Sequence, residues 1–348
     1  LNKGKVMEGR QNESFFDELY RKTRHWAKGV LESVKTPTWI HCPESLQIDT
    51  LNYCSCSCEY CNVKNGGSFN IPRGKMPTEM VKYVIDYWGK FKEMKIIAPF
   101  VNGEPMLDER LFDICEYTTN HSHAFNLIDT NGTPYENRHL LLHPNLKLVR
   151  FTISANTPET YEKVHGRKLF DKALETFWWF DKNRLEHQNI VLHFIVTKNN
   201  EHEIEDWLER FDGFLRKVFP LHRMPGIQLN SEESLGLRKE FVQSTNSVKE
   251  WEITRPLLVF PNGKRKRDIV PKYQTCQGMS FAVMWDGTIL HCTDAPPIYN
   301  YGKIPEVDML EAWNKRNQSR RTNPACIACN AKRPDWETVL DKWIKHEV

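Results

Sequence analysis

Between residues 46 and 230, strand-like and helix-like stretches alternate, and that rhythm leaves few folds open. Short runs rich in β-branched and apolar residues predict strands at 46–51, 95–101, 125–129, 148–154, 190–197 and 227–230. Between them, 78–91, 108–118, 158–164, 170–183 and 201–218 carry apolar residues at helical spacing. Strands joined through helices run in the same direction, so the units build a parallel sheet. The expectation is an α/β fold, a partial (β/α)6 TIM-like barrel over residues 46–230. In such barrels chemistry gathers where loops leave the C-terminal ends of the strands.

The flanks do not share the rhythm. Phe15, Leu19, Trp26 and Val30 fall at helical spacing before Pro37, so residues 1–45 read as an N-terminal helical extension. Residues 231–275 hold Ser244-Thr-Asn-Ser, Pro256, Pro261-Asn-Gly and the basic run from Lys264 to Arg267, which predict a linker or a substrate-side segment. From Cys276 order returns. Asp286-Gly287 is a two-residue hairpin signal between strand-like 281–285 and 288–292, and a short helix is expected over 309–316. Residues 276–348 thus form a small β-hairpin/helix domain.

The ten cysteines are Cys42, Cys54, Cys56, Cys58, Cys61, Cys115, Cys276, Cys292, Cys326 and Cys329. They are clustered in a 348-residue chain whose first residues show no apolar leader. Metal ligation therefore fits better than a disulfide framework, and a cytoplasmic protein is expected. No run approaches the ~18 apolar residues of a membrane span. A net charge of +3 sets up no global field for a polyanionic partner.

Cys54, Cys58 and Cys61 stand at CxxxCxxC spacing just beyond the first predicted strand. Structural iron–sulfur clusters usually take four cysteines, so a trio leaves one iron open to bind a small molecule. Zinc remains the alternative, but it needs a fourth ligand from Cys56 or a distant residue. Cys56 reads as a bystander inside the loop, and Cys115 as a buried thiol on a helix.

These residues carry a resemblance. CxxxCxxC after the first strand of a β/α barrel, with Tyr60 before the last cysteine, resembles the radical S-adenosylmethionine superfamily. Asn102-Gly103-Glu104-Pro105 after the second strand resembles that family's GGEP motif, with Asn in place of the first Gly. Asp129-Thr130-Asn131-Gly132, Ser154-Ala-Asn-Thr157 with His165-Gly166, and Val196-Thr-Lys-Asn199 resemble landmarks at the ends of the third, fourth and fifth strands. The resemblance implies a 4Fe-4S cluster on Cys54, Cys58 and Cys61, with S-adenosylmethionine bound to its open iron. It implies a cofactor site of Tyr60 beside the adenine, Asn102, Gly103 and Glu104 at the methionine amino group, Asn131 in the turn, and Ser154 at the ribose or carboxylate. The implied chemistry is reductive cleavage to a 5′-deoxyadenosyl radical that abstracts hydrogen from substrate. No catalytic side chain beyond the cluster is assigned.

Cys276, Cys292 and the Cys326-Ile-Ala-Cys329 pair surround the predicted hairpin and resemble the Twitch domain, a shortened SPASM extension. That resemblance implies a second, fully ligated 4Fe-4S auxiliary cluster suited to electron transfer or structure; a zinc ribbon is the bland alternative. The expected enzyme acts on a small polar molecule such as a sugar, aminocyclitol or nucleotide, by oxidation or epimerisation. Its implied electron donor is of the flavodoxin or ferredoxin type. Modification of a nucleic-acid base or peptide is the second reading, with the basic run at Lys264–Arg267 as its motive. A non-enzymatic zinc-binding interaction protein is the third.

Overall fold

The computed structural model describes residues 42–61, 72–220, 257–259, 261–263, 265–267, 280–293, 297, 299–319 and 323. The expected N-terminal helix, the strand expected at 227–230, and Cys276, Cys326 and Cys329 lie outside them. So does Lys264 of the basic run.

The first strand, β1 (Ser45–Ile48), precedes the cysteine loop. It is followed by α1 (Thr78–Gly89), β2 (Ile96–Ala98), α2 (Leu111–His121), β3 (Phe125–Thr130) and β4 (Leu146–Thr152). Next come α3 (Pro158–His165), α4 (Phe170–Asn183), β5 (Asn189–Val196), α5 (Ile204–Arg210) and β6 (Leu215–Pro220). Strands β1 to β6 pair in sequence order, each parallel to the last. This is the parallel sheet of a partial TIM barrel, as the alternation predicts.

Two expectations need correction. The helix expected over 201–218 is a 3-10 turn plus α5, ending at Arg210; Gly213 at φ 85° then turns the chain into β6. The sixth strand is therefore Leu215–Pro220, earlier than the sequence pattern suggests. Glycine adopts that left-handed conformation without strain, which explains why the helical spacing does not run on. Within 231–275, β7 (Leu257–Val259) and β8 (Arg265–Arg267) form an antiparallel pair added to β6. Three residues of the basic run are thus edge strand.

The C-terminal part joins the opposite edge. Strand β9 (Ser280–Val283) pairs parallel to β1, and β10 (Thr288–Leu290) and β11 (Asn300–Lys303) continue antiparallel from it. The hairpin loop is longer than a two-residue turn. Met284 N–H donates to Thr288 O, and Trp285, Asp286 and Gly287 make the loop, with Gly287 at φ 85°. A three-residue loop with a left-handed final residue is the next commonest hairpin connection. The last described helix, α6 (Met309–Ser319), extends three residues beyond the expected end.

Helices cover the outer face in two groups. In α4, Phe170, Ala173, Phe177 and Phe180 are buried at the three- and four-residue spacing that makes one helix face. Phe177 and Phe180 meet Phe151 of β4 at ring separations of 5.4 and 5.9 Å. On the other side, Trp88 of α1 contacts Phe281 of β9 at 4.9 Å, and Trp313 of α6 joins the same apolar cluster. Helix α3 is pinned at both ends, by Thr157 accepting from Thr160 N–H with Pro158 next, and by Gly166 in the left-handed conformation. No helix among the described residues is long and apolar enough to cross a membrane.

Candidate active site at the strand ends

The cysteine loop crosses the C-terminal end of the sheet and is held by the end of α3. Ser57 N–H donates to His165 O at 2.9 Å, and Glu59 N–H to Val164 O at 2.9 Å. Gly166 passes so close that a Cβ there would lie 2.4 Å from Ser57 O. Asn199 Nδ2 donates to Glu59 Oε2 at 2.7 Å, and Ser55 and Thr133 hydroxyls meet at 2.5 Å. Loops after β3, β4 and β5 therefore all grip this one segment.

Two hydrogen-bonded chains run from the strand ends to cysteine sulfurs. In the first, Glu104 is buried beyond β2. Its Oε1 accepts from Thr130 Oγ1 at 2.7 Å and Met106 N–H at 3.1 Å, and its Oε2 accepts from Asn131 N–H at 2.8 Å. The Asn131 side chain donates onward to Cys54 Sγ at 3.2 Å. In the second, Ser154 N–H donates to His165 Nε2 at 3.1 Å, and His165 Nδ1 lies 3.2 Å from Cys58 Sγ. Because Nε2 accepts, a neutral ring carries its proton on Nδ1 and donates it to the sulfur. The imidazole is fixed by Tyr161 stacked at 4.1 Å and by Tyr60 edge-on at 6.1 Å.

The remaining motif residues shape the same mouth. Asn102 N–H donates to Asp49 Oδ1 at 2.9 Å, tying the motif loop to the end of β1. Gly103 has no room for a side chain, since a Cβ would sit 2.2 Å from Leu51 O. Ser154 Oγ accepts from Ile195 N–H at 3.0 Å, which locks β4 to β5. Burial pushes the Glu104 carboxyl up to about 7 even though Thr130, Asn131 and Met106 donate to it. Asp49 is likewise pushed up to about 7 by burial, against its N–H donors. Burial also drives the Cys54 thiol well above its ordinary range, so taking up a metal there would release a proton.

The structure brings Cys54, Cys58, Tyr60, Glu104, Asn131 and Ser154 into one network; Asn102 and Gly103 border it. Cys61 follows in the same loop, its N–H donating to Cys58 O at 3.1 Å. Cys56 is buried with its sulfur 3.8 Å from Tyr161 OH. Among the described residues, no three His, Cys, Asp or Glu side chains are grouped closely enough to hold a single metal ion. The donors fit a cluster nonetheless, since thiolates suit iron and N–H groups aimed at their sulfurs tune it. Cys292 lies just past β10, half-buried. Sequence reasoning missed Asp49 and gave His165 no role. Asp49 ends a strand directly before the cysteine loop, a position that signals a mouth residue; the direction of the His165 ring has no sequence signal.

Comparison with known proteins accords with this geometry. The sequence model of the Radical SAM superfamily matches residues 48–211. The fold is similar to native anSMEcpe with bound AdoMet, at 15% identity and TM-score 0.53, over 87% of this chain and 96% of that one. It is similar to Streptococcus suis SuiB bound to S-adenosylmethionine, at 14% identity and TM-score 0.51, over 92% of this chain and 77% of that one. No curated protein matches the sequence. The matched segment spans β1 to α5, and with the barrel it supports the radical SAM superfamily.

Proposed function

We propose, from a barrel that matches the radical SAM superfamily, that this protein is an enzyme that reductively cleaves S-adenosylmethionine and takes hydrogen from a small polar substrate. When bound, the cluster and S-adenosylmethionine supply a 5′-deoxyadenosyl radical, the reagent for that abstraction. Cys54, Cys58 and Cys61 would hold the cluster. Asn131 and His165 direct N–H groups at the first two sulfurs, which favours their thiolate form and fixes their rotamers. Glu104 offers a buried carboxylate to the methionine ammonium, and the absence of a side chain at Gly103 lets the motif loop pack against the Leu51 carbonyl. Tyr60 and Ser154 border the nucleoside side. Asp49 holds the Asn102 turn in place from below.

The observation that carries this reading is the pair of hydrogen-bonded chains, Glu104–Asn131–Cys54 and Ser154–His165–Cys58. They connect motif residues from three strand ends to two of the three ligand sulfurs. A second cluster on Cys276, Cys292, Cys326 and Cys329 is part of the proposal. Its support is the sheet itself, which sets the hairpin bearing Cys292 beside β1, the strand that leads into the first cysteine loop. Held by those four thiols, such a cluster would supply electron-transfer chemistry and so favour oxidation, while a flavodoxin- or ferredoxin-type donor in a reducing, cytoplasmic setting would serve the first cluster.

The test is anaerobic. Protein reduced with dithionite and given S-adenosylmethionine should release 5′-deoxyadenosine. A colourless protein that carries zinc and releases none would refute the reading. With a substrate in hand, net oxidation and solvent deuterium incorporation separate oxidation from epimerisation.

A further inference from the structure

Strand β4 leaves the sheet at Thr152, and beyond that point side chains take over from the backbone ladder. The last paired residues of β4 and β5 are Thr152 and His193, and Ile153 N–H still donates to His193 O at 3.2 Å. At Ser154 the pattern changes. Its Oγ, not a carbonyl, accepts from Ile195 N–H, and its own carbonyl accepts from the Asn200 side chain at 2.8 Å. The Ser154 N–H is left to donate to His165 Nε2. Ser154, His165 and Asn200 are all fully buried, so each of these groups needs its partner.

Asn200 sits in the turn between β5 and α5, and a purely local role there needs only its oxygen. Oδ1 accepts from Thr197 N–H at 2.7 Å and from Thr197 Oγ1 at 3.3 Å, which closes the turn. Such a turn asks nothing of the amide nitrogen. Here Nδ2 directs its hydrogens across the strand ends, to Ser154 O and to Ile195 O at 2.9 Å. Donors and acceptor are thus all engaged. The same turn reaches the site twice more. Asn199 Nδ2 donates to Glu59 in the cysteine loop, and Glu203 accepts from the Asn156 and Thr157 N–H groups at the start of α3. That helix ends at His165.

The consequence falls on the imidazole. Which ring nitrogen of a neutral histidine carries the proton is set by the hydrogen bond that the other one makes. Ser154 N–H is the donor that makes Nε2 the acceptor, and Asn200 holds that residue from its other side. We infer that Asn200 is a positioning residue for the first cluster: it fixes Ser154 so that His165 keeps its proton on Nδ1, facing Cys58. The inference rests on the radical reading above and adds to it a residue three hydrogen bonds from the Cys58 sulfur.

A double-mutant cycle on the anaerobically reconstituted protein tests this, read as the midpoint potential of the first cluster by redox titration with electron paramagnetic resonance. Asn200→Ala should lower the potential by about 30 mV, a threefold change in the one-electron equilibrium. In a His165→Phe background the same substitution should shift nothing, since its effect passes through the imidazole. Asn200→Ser, a shorter side chain that does not reach Ser154 O, replaces it if thermal melting shows that the alanine variant has not folded. Nitrogen-15 NMR of labelled histidines in the metal-free protein gives a second readout. The wild-type His165 ring should carry its proton on Nδ1, and the Asn200 variant should show both tautomers. Any of three results overturns the inference: an unchanged potential, an equal shift with and without His165, or a ring that keeps its proton on Nδ1 in the variant. Failure of the wild type to release 5′-deoxyadenosine, with these shifts intact, would instead strike the radical reading itself.

Discussion

The cysteine loop and the C-terminal hairpin bear thiols in two different ways. The first packs Cys54, Cys58 and Cys61 into eight consecutive residues, and distant strand ends then clamp that short segment. The second spreads Cys276, Cys292, Cys326 and Cys329 along the chain, and a parallel pairing of β9 with β1 brings its hairpin to the barrel. In the first region local spacing brings the thiols together, whereas their orientation comes from distant strand ends. A loop clamped at the strand ends suits a reagent site that must hold one iron open. The β9–β10 hairpin lies between β1 and β11, where the proposed second cluster would sit beside the sheet.

The largest expected effect separates the two. Cys58→Ala should abolish 5′-deoxyadenosine release. Cys292→Ala should keep that release while iron content falls from about eight to about four per chain, as one of two cubanes is lost. If Cys292→Ala leaves iron unchanged, the comparison fails at its second member.

Next in size is a pH effect confined to the barrel mouth. Glu104 and Asp49 have folded pKa values raised to about 7, so each holds its proton more tightly folded than unfolded. The sign follows. Their contribution is greatest below the unfolded pKa, shrinks as pH climbs towards 7, and is flat above. At 1.36 kcal/mol per unit, Glu104 carries about 3 kcal/mol over that window and Asp49 about 4 kcal/mol. Urea unfolding of the metal-free protein at pH 5 and pH 7.5 should show the loss, and Glu104→Gln should remove its share. A wild-type and Glu104→Gln pair with parallel pH profiles would contradict this.

The clamp itself is tested by glycine. Gly166 and Gly263 both have positive φ, at 69° and 75°, but only Gly166 has a neighbour in the way. Gly263→Ala should cost about 1 kcal/mol, the ordinary strain of the left-handed conformation. Gly166→Ala should cost clearly more, about 2–3 kcal/mol, since the Ser57 carbonyl must also move. Thermal melts of the two variants read the difference directly.

The smallest effect concerns His165. Removing its Nδ1–H donor with His165→Phe should lower the midpoint potential of the first cluster, because N–H···S bonds favour the more negative, reduced state. A shift of about 60 mV corresponds to tenfold in a one-electron equilibrium. Redox titration followed by electron paramagnetic resonance measures it. An unchanged potential would make the contact purely structural.

Much of this protein was legible before any coordinates. Periodicity at 170–183 predicts α4 residue for residue, since an amphipathic helix records its buried face in its own spacing. The CxxxCxxC run marks the mouth by its own spacing, and Asn102–Glu104 and Asn131 mark it through their resemblance to radical SAM motifs at strand ends. The end of the barrel was harder to read. Apolar spacing through residues 201–218 suits either a helix or a helix followed by a strand, and Gly213 decides between them only through its backbone angle.

What the sequence by itself determined is the alternation of elements and the inventory of thiols, because both are written in neighbours a few residues apart. Tertiary structure alone decided that β9 lies parallel against β1, that His165 turns its Nδ1 to Cys58, and that Asn200 holds the Ser154 carbonyl. Each of these depends on strand register or on the approach of residues far apart in the chain. Such pairings are chosen by the free energy of the whole packed sheet, and no local window of sequence contains it.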